Sequence, residues 1–127
     1  MKVTYTERRT FVRYDEGRII AYLGEDIVSS YKPEDAPEDM APVTGYSYEG
    51  ELPDGGTMLD CSSTDRDSLV NAVIRTRYSQ TEEDAIKTHQ ILLLQDPDID
   101  KAEEYAAEWS EFLAFRMVAI QTVDNWL

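Results

Sequence analysis

Four of the chain's five prolines, Pro33, Pro37, Pro42 and Pro53, fall between residues 31 and 56. A proline fixes φ and removes an amide donor, so no regular helix and no uninterrupted central strand runs through such a stretch. Glu34, Asp35, Glu38 and Asp39 surround the first two prolines. A segment this polar buries too little apolar surface to fold alone. Residues 33–60 therefore read as an acidic, proline-rich connector. Two short strands are expected in it, Tyr46–Gly50 and Thr57–Cys61, on either side of a Pro53-Asp54-Gly55-Gly56 turn whose glycines permit positive φ. Everything before this stretch has one periodicity and everything after it another.

Residues 1–32 read as strands. Val3–Thr6 and Thr10–Tyr14 are rich in β-branched and aromatic residues, Asp15-Glu16-Gly17 signals a turn, and Arg18–Leu23 is the return strand. Gly24-Glu25-Asp26 is a second turn, and Ile27–Ser30 follows as a further strand. Strands consecutive in sequence make an antiparallel β-meander the natural arrangement. A meander alone is marginally stable, so its apolar face needs a cover.

Residues 61–127 read as three helices. Thr64 serves as the expected cap of the first, with Asp67 at its third position, and Leu69, Val70, Val73 and Ile74 form a helical stripe. Ser79-Gln80-Thr81-Glu82 is a capping box, in which hydroxyl and carboxylate each satisfy an orphan amide. Ile86, His89 and Leu93 share one face, and Pro97 stops that helix. Asp100 is the expected cap of the last helix, from about Lys101 almost to the C-terminus. At 100° per residue, Tyr105, Trp109, Phe112, Leu113, Ile120, Val123 and Leu127 share a broad core face, with Arg116 near its middle. Phe115, Val118 and Trp126 lie off that face. With the terminal Leu127 they are the candidate interface residues, because a helix apolar beyond one stripe needs a second partner. Arg77 and Arg116 read either as structural ion pairs or as an anion site.

The formal net charge is −14, unevenly spread: +1 over residues 1–32, −8 over 33–60 and −7 over 61–127. This balance argues against nucleic-acid partners and against an anionic membrane surface. No transmembrane span is expected. The single cysteine, Cys61, cannot form an internal disulfide, and the N-terminus has no secretory pattern, so the cytoplasm is the expected compartment.

Candidate chemistry is sparse. Asp96-Pro97-Asp98-Ile99-Asp100 starts like a calcium-binding loop, but Lys101 stands where the turn needs Gly and Ala107 where the ion needs a carboxylate. His89 is the only histidine and lacks a recognisable nucleophile or orienting partner. Gly55-Gly56 lacks the spacing of a phosphate-binding loop. No catalytic residue, cofactor site or metal site is expected.

Three features carry a family resemblance. Pro53-Asp54-Gly55-Gly56-Thr57 leads into an apolar strand. A short helix then ends at Arg77-Tyr78-Ser79-Gln80, followed by Glu82-Glu83-Asp84-Ala85-Ile86. Last comes the acidic, aromatic run Glu103–Phe112. Over about residues 45–127 this order resembles small uncharacterised phage and prophage proteins encoded near tail genes, and is similar to tail-fibre assembly proteins. The resemblance implies a non-enzymatic accessory or structural role in the bacterial host's cytoplasm or in the virion, and it assigns no functional residue.

The expected architecture is one α+β domain of 127 residues: a meander (1–32), the acidic connector (33–60) and a helical part (61–127) packing on the meander. The expected function is protein–protein interaction, through a protein partner or a homo-oligomer. An acidic nucleic-acid mimic that binds a basic protein is an alternative, and needs carboxylates spaced like phosphates on one face. An unrecognised enzyme is another, and needs an apolar pocket with converging polar groups.

Overall fold

A computed structural model describes residues 1–127. The chain is α+β, with six antiparallel strands in two sheets followed by three helices. It divides into two compact units, Met1–Ser62 and Ser63–Leu127.

The strand unit contains β1 (Lys2–Tyr5), β2 (Phe11–Asp15), β3 (Arg18–Ala21), β4 (Asp26–Tyr31), β5 (Val43–Glu49) and β6 (Thr57–Asp60). Its sheets run β1-β5-β4 and β2-β3-β6. The expected meander is therefore absent. Of the strands expected in the meander, only β2 and β3 pair with each other, around the Asp15–Gly17 turn, where the Gly17 amide donates to Asp15 Oδ1 at 3.0 Å. The expected connector is corrected as well, because it supplies the centre of one sheet and an edge of the other. β5 pairs with β1 (Val3 opposite Tyr48) and with β4 (Ile27 opposite Tyr46), while β6 pairs with β3 (Ile19 opposite Leu59).

Side-chain size explains the choice of centre. Gly45 lets two neighbours close over β5, since a Cβ there would lie 2.8 Å from Tyr31 and 2.9 Å from Thr4. Ser47 and Tyr48, adjacent residues on opposite faces, are both fully buried, as in a strand covered on both sides. The β4–β5 register shifts between Val28 and Tyr31, where Ser30 takes a left-handed φ of 56°. The Pro53–Gly56 turn forms as expected. The Gly55 amide donates to the Leu52 carbonyl, the Gly56 amide to Asp54 Oδ1, and Gly55 has φ 82°.

The helical unit comprises α1 (Arg66–Ile74), α2 (Gln80–Gln95) and α3 (Ala102–Trp126). Asp65, not Thr64, caps α1, accepting from the Ser68 amide at 3.1 Å. A carboxylate holds an amide at a helix's positive end more strongly than a hydroxyl does. The capping box opens α2, with Ser79 Oγ accepting from the Glu82 amide and Glu82 Oε1 from the Ser79 amide. Asp100 does not cap α3. Lys101 stands at the boundary with φ 73°, outside the extended conformation that folds a capping side chain back, and makes no side-chain cap. No helix is long and apolar enough to cross a membrane.

Candidate functional site

At about 1.5 Å per residue, α3 is roughly 38 Å long, and its two halves have different partners. The first half packs against α2. The His89 ring stacks on Tyr105 with centroids 4.2 Å apart and planes 9° from parallel, and His89 Nδ1 lies 2.5 Å from Glu108 Oε1. The second half packs against α1, where Arg66 donates to both carboxylate oxygens of Asp124, at 2.7 and 3.2 Å. Between the halves, Tyr78 meets Phe112 edge to face at 5.2 Å. Phe112, Ala119 and Val123 are fully buried.

These contacts rotate the core face away from the position expected from sequence. Leu113 is 42% exposed and Leu127 68% exposed, so neither belongs to the core. Arg116 is exposed too, and its charge is not buried. The buried line runs through Phe112, Ala119 and Val123, roughly 100° round from Leu113. Phe115 and Trp126 sit on its flank, both half-buried. Phe115 lies 5.9 Å from the Tyr78 ring and under the Arg77 guanidinium at 5.5 Å. Arg77 thus stacks on aromatic rings instead of sitting in an ion pair. Of the candidate interface residues, Val118 and Leu127 are open to solvent and Phe115 and Trp126 are partly covered.

The same rotation exposes a face that sequence reasoning missed. Ala106, Ser110, Leu113, Ala114 and Met117 occupy one side of α3, with Val118 at its edge. All six are exposed, Met117 and Val118 by 53% each, and no charged side chain lies among them. This side is roughly 24 Å long, from Ala106 to Gln121. The signal that could have found it is the small-residue run at helical spacing, which the broad hydrophobic stripe beside it masked.

Polar chemistry converges elsewhere, in the strand unit. Tyr5, Tyr22 and Tyr48 form an aromatic cluster with centroids 5.7 to 6.3 Å apart. Tyr22 donates to Asp54 Oδ2 at 2.7 Å, and Tyr5 donates to the Asp54 carbonyl. Tyr48 donates to Glu25 Oε1 at 2.8 Å and accepts from the Arg9 amide. The Arg9 guanidinium lies 4.3 Å from the Tyr5 ring centre. Burial, reinforced by these carboxylates, pushes the phenols of Tyr22 and Tyr48 up to about 12. Hydrogen bonds from Tyr22 and the Gly56 amide hold Asp54 below its usual range. Each hydroxyl is satisfied within the cluster, as in a structural polar network.

His89 has an orienting carboxylate in Glu108, and its other neighbour is the stacked Tyr105 ring. Cys61 is buried in the strand unit. The calcium-like loop forms a turn, in which the Asp98 amide donates to Asp96 Oδ1. No three His, Cys, Asp or Glu side chains are grouped as metal ligands. No family model, curated protein or solved structure matches this chain.

Proposed function

We propose that the chain is a non-enzymatic interaction protein that associates through the exposed, uncharged side of α3. The observation carrying this reading is the continuous row Ala106, Ser110, Leu113, Ala114 and Met117, open to solvent and free of charged side chains. Small residues let another helix approach closely, while Leu113 and Met117 supply apolar anchors. A charge-free row of this length is what an interface core requires. The resemblance to phage and prophage proteins encoded near tail genes supports a place for such a module in virion assembly, in the bacterial cytoplasm or in the virion itself.

Sedimentation and light scattering of the pure protein test the self-associating form. Association is expected to rise with protein concentration and to be lost in L113E and M117E, with helicity unchanged because both side chains are already exposed. A monomer at every concentration rules out the homo-oligomer. A hetero-partner whose capture from host lysate is indifferent to both substitutions rules out this face.

A further inference from the structure

A second surface of the helical unit carries a different chemistry. The unit is strongly acidic, yet four of its six basic residues, Arg66, Arg75, Lys87 and Arg116, border a single open cleft of about 310 Å³ between α1, α2 and α3. The remaining two, Arg77 and Lys101, are not among its lining residues.

The four cations are not equally committed. Arg66 is held by Asp124 at 2.7 Å. Arg75 and Lys87 share one carboxylate, donating to Glu83 at 2.9 and 2.6 Å. Glu83 is buried; burial pushes its carboxyl up, but the bonds from Lys87 and Arg75 outweigh this and hold it below its usual range. One anion between two cations leaves a surplus positive charge. Arg116 adds another, because it forms no ion pair and stacks on no ring. Asp67, the other acid at the rim, lies 3.9 Å from the Arg66 guanidinium in a second, highly exposed ion pair, so Asp67 and Asp124 both belong to Arg66. The cleft is aliphatic as well as basic, since Val70 and Ile74 are buried in it and Ile120 half-buried.

We infer that this cleft binds a carboxylate carried on an aliphatic chain. The guanidinium of Arg116 receives the carboxylate in a two-pronged hydrogen bond, with Lys87 and Arg75 supplying long-range attraction. The aliphatic portion covers Ile74 and Ile120. Such a ligand arrives either as a free aliphatic acid or as an acidic side chain beside an aliphatic one in a polypeptide. The same chemistry serves both.

Amide chemical-shift titration of the full chain tests this with three probes: hexanoate, acetate and a blocked Leu-Glu-Leu peptide. Saturable shifts are expected for the amides around Ile74, Gln80 and Arg116 with hexanoate or the peptide, and much weaker ones with acetate. R116Q is expected to weaken binding about fivefold without changing the melting curve, because Arg116 has no structural partner. I120A is expected to weaken hexanoate while leaving the acetate response unchanged. Tighter binding of the peptide assigns the site to polypeptide ligands, and tighter binding of hexanoate to free acids. The inference is overturned by the absence of saturable shifts, by acetate binding as well as hexanoate, or by an unaltered R116Q. None of these results bears on the α3 face, whose test is the oligomeric state.

Discussion

The tyrosines of the strand unit set a definite alkaline limit on its stability. Tyr22 and Tyr48 are buried, and their phenols are pushed from 10.0 up to about 12, by burial first and by Asp54 and Glu25 second. A folded-state value above the unfolded one stabilises the fold fully below pH 10, and this stability is lost as pH rises through about 12. Ultraviolet titration is expected to show two phenols ionising late, together with loss of the native signal; Y22F removes one late step. Asp65 behaves in the opposite sense. Bonds from Ser63 and Ser68 lower its carboxyl to about 2, so its contribution is present above 3.8 and lost as pH falls through about 2. D65N is expected to flatten the acid limb of a stability–pH curve, read by urea midpoints between about pH 4 and pH 2. The Asp65 cap was legible only to within one residue. Four small polar residues, Ser62 to Asp65, precede α1, and their order alone does not say which backbone turns extended.

At the scale of elements, β5 has no room for a side chain at its closest approach to its neighbours. A side chain at position 45 would enter space held by Tyr31 and Thr4, so G45V is expected to cost about 1–3 kcal/mol, measured by chemical denaturation, with the β signal lost before the helical one. The Ser79 capping box and the β2–β3 turn were readable because each is made by residues three or four apart, whose geometry is local. The position of β5 was not. Its selection rests on a glycine and a serine that look like weak strand residues until the two flanking strands are known. The phase of α3 failed for a related reason. A wheel drawn over 25 residues weights every apolar position equally, whereas the real core line was fixed by Phe112, Ala119 and Val123, two of them small enough for close packing. The tyrosine cluster was invisible because its members come from β1, the segment after β3, and β5.

For the whole molecule, net charge opposes the association proposed for the α3 face. A copy carrying −14 repels another over roughly the screening length, which falls from about 30 Å at 0.01 M salt to about 10 Å at 0.1 M. Self-association through an uncharged face is therefore expected to strengthen with added salt, which light scattering across that range checks; an interface held by ion pairs would weaken instead. The β1-β5-β4 order has a consequence in time. β1 spans residues 2–5, but its only strand partner spans residues 43–49. At roughly 5–20 residues per second of synthesis, β1 leaves the ribosome several seconds before β5 exists to pair with it. β1 thus stays without a strand partner for an interval set by the synthesis of residues 6–49, the acidic proline stretch being only its last part.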